Sequence, residues 1–229
     1  MIVCNSNNFV VIRTPKTGST SLAFYFFKSG LLDPRRDVYS VEGPFSTWEE
    51  LETYDKEHGL DYSKLPSLQE YKPSNVHHTF NDLCVKGTIQ PNMPCVASIR
   101  NPLERVASML NYIIRIRLPK DPPLRQETKS PNSFWDYVKT TGHPFYKKRQ
   151  TDYFPDHAEL FNTENLHEHV SKYILERGGK VNGRIEMRKN PDNKLDVFLA
   201  ELTSDRKQDI LDTYAQDFVL WEKSYAVYN

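Results

Sequence analysis

The chain has 229 residues, 38% of them hydrophobic and 12% aromatic, which is enough for one sizeable core, and a single domain over 1–229 is expected. Lysine plus arginine equals aspartate plus glutamate at 30 each, so no overall field draws the protein to nucleic acid or to an anionic membrane; any basic site must be local. Cys4, Cys84 and Cys95 lack metal-type spacing, no N-x-[ST] acceptor occurs, and the apolar run near the N-terminus is far too short for a membrane span or signal segment. The expectation is a reduced, cytoplasmic protein with no bound metal.

In chain order, Phe9-Val10-Val11-Ile12 leads a buried strand to residue 13, and a helix is expected over 19–28, with Gly30 as a left-handed cap. Between them lies R-T-P-K-T-G-S-T-S, residues 13–21. Residues 31–45 read as loop, and Ser46-Thr47-Trp48-Glu49 as the capping-box start of a short helix ending by Gly59. An irregular stretch with Pro66 and Pro73 leads into S-N-V-H-H-T-F-N-D-L. A second strand is expected over 95–99, followed by a helix with Asn101 as cap, Pro102 at its first position and Glu104 in its first turn. Val106, Met109, Leu110 and Ile113 recur at helical spacing and mark its core face.

The proline-rich segment 118–132 reads as loop, 133–141 as a helix stopped by Gly142, and A-E-L-F-N as a short strand. A helix then runs from near Asn165 to Gly178-Gly179, and 180–194 is a polar, basic loop. Thr203 or Ser204 opens the last helix, with Ile210, Leu211 and Tyr214 on its core face. Strands alternating with helices imply an α/β fold: a central, mainly parallel sheet flanked by helices. Trp48, Trp135 and Trp221 read as packing residues. His167 and His169, two apart on a helix, face apart and are read as solvated rather than as metal ligands.

Residues 13–21 sit where a strand hands over to a helix, whose first amides have no intrahelical partner and lie at the positive end of the helix dipole. Thr17-Gly18-Ser19-Thr20-Ser21 offers small residues, four hydroxyls and a glycine for the tight turn. This is a phosphate loop by composition, yet not the triphosphate loop G-x-x-x-x-G-K-[ST], because Lys16 precedes the glycine. An ordinary capped turn would need only one hydroxyl. Arg100 stands at the carboxyl end of the second strand, where open parallel sheets bind ligands, and Ser108 lies on the helix that follows.

Together, Pro15-Lys16-Thr17-Gly18-Ser19-Thr20-Ser21 and Arg100-Asn101-Pro102-Leu103-Glu104-Arg105-Val106-Ala107-Ser108 resemble the two motifs of sulfotransferases that use 3′-phosphoadenosine 5′-phosphosulfate (PAPS). Within that family the look is closest to the glycan (heparan or uronyl) 2-O-sulfotransferases, which place a histidine shortly before the second motif. Here Val76-His77-His78-Thr79-Phe80 fills that place. The likeness is good over roughly residues 9–115 and loose over 150–221.

The resemblance implies a P-loop-kinase-like sulfotransferase fold. It implies that Arg13, Lys16, Thr17, Gly18, Ser19, Thr20 and Ser21 hold the 5′-phosphosulfate, and that Arg100 and Ser108 hold the 3′-phosphate, with Arg188 and Lys189 closing over that side. Lys16 is then the group that stabilises the leaving oxygen, and His78, with His77 second, the general base. PAPS is the donor and 3′,5′-ADP the product. The implied acceptor is a hydroxyl, of a carbohydrate before a phenol or lipid, for which Arg115, Arg117, Lys120, Arg125 and Lys129 could line an acidic-glycan groove. Two readings stand beside this one: an ATP-dependent small-molecule kinase, which lacks a clear metal-binding aspartate, and a nucleotide-binding module without catalysis.

Overall fold

The computed structural model describes residues 2–4, 7–31, 78–112, 130–141, 148–181 and 195–226. Their fold is α/β: a four-stranded mixed sheet in the order β1 (Ile2–Cys4), β2 (Phe9–Ile12), β3 (Cys95–Ile99), β4 (Glu159–Asn162), flanked by helices. β2 and β3 run parallel with Ile12 opposite Ala97, and β3 and β4 run parallel with Ile99 opposite Asn162. β1 is antiparallel to β2, with Cys4 opposite Phe9, an edge strand that the sequence reading did not anticipate. The hairpin turns through Asn8 at φ +52°, in the left-handed region that asparagine tolerates better than most residues.

Every residue of β2 and β3 is buried, as expected of strands covered on both faces. Alternation along them sorts the side chains into two cores. Val11, Val96 and Phe161 face α1 (Ser19–Lys28) and α5 (Leu166–Glu176), where Phe26, Val170, Tyr173 and Ile174 complete the layer. Val10, Ile12, Ala97 and Ile99 face α2 (Phe80–Val85) and α8 (Ala215–Ala226), meeting Phe80, Leu83, Leu220 and Trp221.

A third cluster joins α3 (Pro102–Tyr112), α4 (Pro131–Thr141), α6 (Leu195–Glu201) and α7 (Ser204–Thr213) around Val106, Met109, Trp135, Phe198, Ile210 and Tyr214. Trp135 is fully enclosed there, and its indole N–H donates to Asp209 at 2.8 Å. Trp221, by contrast, is only half buried.

Several boundaries follow from the capping chemistry already visible in the sequence. The Asn101 side chain accepts from the Leu103 amide at 2.9 Å, Thr203 caps α7, and Gly30 and Gly178 adopt φ +76° and +74° after their helices. The helix expected to open at Thr203 or Ser204 is not the last one: Tyr214 ends it as the cap of α7, and α8 follows directly. α2 was not expected, although its capping box is written in the sequence: Asp82 N–H donates to Thr79 Oγ1 at 3.0 Å and Thr79 N–H to Asp82 Oδ2 at 2.8 Å. Among the described residues no helix is long and apolar enough to cross a membrane, and the three cysteines are free. The helix expected at 46–59 and residues 118–129 of the loop expected at 118–132 lie outside the described residues; the end of that loop is helical instead, since α4 begins at Pro131.

The turn after α5 tests the packing on one face of the sheet. Lys180 N–H donates to the Ser29 carbonyl at 3.0 Å, drawing Gly179 against the end of α1. A Cβ at Gly179 would stand 2.7 Å from Ile174 Cγ2, 2.9 Å from Leu31 Cγ and 3.2 Å from the Ile174 carbonyl oxygen. Gly179→Ala should therefore destabilise by about 1–3 kcal/mol, seen as a lowered midpoint in thermal unfolding, with the secondary-structure content unchanged.

Candidate functional site

All three parallel strands release their chains at the same edge: β2 into residues 13–18 and α1, β3 into Arg100 and α3, β4 into residues 163–165 and α5. Carboxyl ends of neighbouring parallel strands form the crevice in which such sheets bind ligands. The two sequence motifs occupy adjacent ends of this edge.

In the first, Lys16 and Gly18 adopt φ +63° and +70°, while Thr17 between them does not have positive φ. Alternating signs of φ turn successive backbone N–H groups into a common concavity, an arrangement that receives anions. For Lys16 the left-handed conformation costs about 1–2 kcal/mol, a strain that nothing in an ordinary strand-to-helix turn requires. The first intrahelical bond of α1 runs from Leu22 N–H to the Gly18 carbonyl at 3.0 Å, so the amides of Ser19, Thr20 and Ser21 precede the helical ladder. No acidic side chain occupies that first turn. The positive end of the dipole therefore lacks a carboxylate of its own helix.

The hydroxyls divide. Thr17 is fully buried; its Oγ1 donates to the Thr14 carbonyl at 2.9 Å and lies 2.9 Å from Ser98 Oγ on β3, which leaves Ser98 as the donor of that bond. Thr17 thus fastens the loop to the neighbouring strand, and it is its amide rather than its hydroxyl that an anion would meet. Ser19 is nearly buried and Ser21 half buried at the head of α1. Arg13 is buried at the start of the loop.

In the second motif the Arg100 guanidinium is 16% exposed and its Nε donates to Glu104 at 3.0 Å. Its charge, after burial, is the second cause that lowers the Lys16 ammonium from its ordinary value to about 8. The two cations are therefore near enough to repel each other. Ser108 lies two turns along α3 and is half buried.

His78 stands just before α2, with Lys86 Nζ 3.4 Å from its Nε2. Partial burial and the Lys86 charge lower its pKa, with Asp82 opposing, so the imidazole is neutral at neutral pH with Nε2 as the acceptor of the lysine proton. The segment around the 3-10 turn Gln150–Asp152 carries α2 to the motifs: Phe80 N–H donates to the Tyr153 carbonyl at 2.8 Å, and the Lys148 carbonyl accepts from Arg105 Nη2 at 3.1 Å. His77, Arg188, Lys189 and the basic residues 115–129 lie outside the described residues.

Three residues that sequence reasoning missed hold this edge together. Arg105, inside the second motif, is 1% exposed and donates from Nε to the Pro15 carbonyl at 3.2 Å. Gln150 grips the Arg100 backbone from both sides, accepting from its N–H at 2.9 Å and donating to its carbonyl at 2.8 Å. Asp217 on α8 accepts from the Gln150 and Thr151 amides at 2.8 and 3.0 Å. Only the Arg105 spacing within its motif hinted at any of them. The histidines on α5 are not solvated as expected: His169 is buried, and His167 Nδ1 is 3.0 Å from the Tyr25 hydroxyl. Among the described residues no cluster of His, Cys, Asp and Glu could hold a metal ion.

Comparison of the chain with models of protein families, with curated proteins and with solved structures returned no match.

The Lys16 ammonium sets a pH dependence for any anion bound at this loop. Below about 8 it is charged and attracts; as pH rises through that value the proton is lost and affinity falls. Sulfate keeps its charge throughout this range, so its dissociation constant, measured by titration calorimetry, should rise between pH 7 and 9.5. Lys16→Met should bind sulfate more weakly at pH 7 and lose the pH dependence.

Proposed function

We propose that this protein is a PAPS-dependent O-sulfotransferase with a P-loop-kinase-like sulfotransferase fold, acting on a hydroxyl acceptor, with a carbohydrate the favoured class. The observation that carries the reading is the placement of a left-handed, part-buried Lys16 and of Arg100 just beyond the carboxyl ends of two adjacent parallel strands. Arg100 already has Glu104 as a counter-charge, and a ligand bearing anions at both ends would add counter-charge for both cations. A nucleoside carrying a 5′-phosphosulfate and a 3′-phosphate has that charge distribution, and when bound it supplies an activated sulfuryl group on a bridging oxygen.

In this reading the amides of Thr17 to Ser21 hold the 5′-phosphate, and Arg100 with Ser108 holds the 3′-phosphate. Lys16 lies where negative charge develops on the bridging oxygen as the sulfur–oxygen bond breaks. An interaction stronger there than in the ground state raises turnover. His78 accepts the proton of the acceptor hydroxyl as its oxygen bonds to sulfur; its lowered pKa keeps it in the neutral, accepting form at pH 7. Lys86 must release Nε2 for that step. A sulfuryl group carries less negative charge than a phosphoryl group, so ammonium and amide donors suffice to balance it.

Binding is the first test. 3′,5′-ADP should raise the unfolding temperature of the protein, and ATP with magnesium should not; stabilisation by ATP alone would favour a small-molecule kinase and end this reading. With labelled PAPS and a panel of glycan acceptors, Lys16→Ala should abolish transfer in a folded protein. His78→Ala should lower kcat by about 10²–10⁴-fold while leaving the 3′,5′-ADP affinity within a few-fold. A fully active His78→Ala protein would remove this histidine from the mechanism.

A further inference from the structure

Arg105 lies within a motif expected to contact a phosphate, yet its side chain is enclosed and turned onto the protein. Beyond its bonds to the Pro15 and Lys148 carbonyls, it lies over the Tyr214 ring at 5.6 Å and places Nη1 3.9 Å from Asp217 Oδ2, an ion pair without a hydrogen bond. Arg105 and Asp217 are 1% and 0% exposed in their side chains, so neither faces a ligand.

From Asp217 the connections continue to the amides of Gln150 and Thr151, and from the fully buried Gln150 to both backbone groups of Arg100. A closed circuit results. It starts at the peptide preceding Lys16, passes through Arg105, Asp217 and Gln150, and returns at the backbone of Arg100. The strands supply the other half, because β2 and β3 are paired in parallel and the loop is fastened to β3 by Thr17 and Ser98.

We propose that Arg105, Asp217 and Gln150 are positioning residues that fix the separation between the loop anion site and Arg100, and so select ligands carrying two phosphates at the spacing of a nucleoside 3′,5′-bisphosphate. The inference rests on the nucleotide reading above. Preorganisation of this kind adds affinity only for a ligand that spans both sites, because that ligand alone avoids the cost of bringing the two elements into register. A 5′-monophosphate meets the loop and is indifferent to where Arg100 stands.

Asp217→Asn is the incisive substitution, because it keeps the size of the side chain while replacing one of two acceptor oxygens by an NH2 donor that faces a backbone N–H. The measurement is the ratio of dissociation constants for 5′-AMP and 3′,5′-ADP in the wild type and in folded Asp217→Asn protein. The ratio should collapse by about tenfold in the variant, the effect of one unsatisfied buried group, through weaker 3′,5′-ADP binding at nearly constant 5′-AMP affinity. Equal weakening of both nucleotides, or none, overturns the proposal, since general loosening of the fold does not discriminate between them. A wild type that binds neither nucleotide ends the nucleotide reading itself, and the inference with it.

If the variant does not fold, amide exchange in the wild-type protein decides. Residues 148–153 should be protected by saturating 3′,5′-ADP and not by saturating 5′-AMP, and equal protection would overturn the positioning role.

Discussion

The candidate site depends on one buried contact, the Arg105 guanidinium against the Pro15 carbonyl. A charged group taken out of water is retained only when its hydrogen bonds and a counter-charge are supplied inside. Here two carbonyls, an aromatic face and Asp217 surround the guanidinium, with Nη1 held by charge alone. Pro15 comes from the first loop, Lys148 from the approach to the 3-10 turn, and Tyr214 and Asp217 from the junction of α7 and α8. Accommodating one arginine therefore ties α3 to three other segments.

The sheet supplies the frame on which this network acts. Parallel pairing of β2 with β3 brings the ends of both strands to one edge, and continuous apolar runs in both bury the sheet from either side. The strain is concentrated where the chain leaves that frame. Lys16 is held in a left-handed conformation by a glycine two residues on, a threonine locked to Ser98 and a carbonyl pulled by Arg105. Such a conformation persists when its surroundings over-determine it, and in the proposed chemistry it sets the ammonium where a bond breaks.

Much of this was visible in the sequence because it rests on local rules. The run Phe9 to Ile12, the helix beginning at Ser19, Asn101 before Pro102, and Gly30 and Gly178 as stops are each decided within a few residues. The edge strand β1 was hidden because three residues are too short for a period to declare itself, and its turn uses Asn8 where a glycine would have signalled it. α2 is only six residues long, with Phe80 and Leu83 its buried positions, too few for a helical period to stand out, so its capping box of Thr79 and Asp82 is its one sequence signal. The bracing network was illegible for a deeper reason. Arg105, Gln150 and Asp217 are single polar residues far apart in the chain, and only folding reveals that they are buried together. Thr17 makes the same point on a smaller scale, since composition counts its hydroxyl as a donor to ligand while the fold turns it inward.

The central claim is that one nucleotide spans the loop and Arg100, and the most direct measurement is a crystal structure with 3′,5′-ADP bound. The account predicts the 5′-phosphate on the amides of Ser19 to Ser21 beside Lys16, with the 3′-phosphate on Arg100 and Arg105 still enclosed against Pro15. A nucleotide bound elsewhere, or one whose 3′-phosphate points away from Arg100 into solvent, would contradict it.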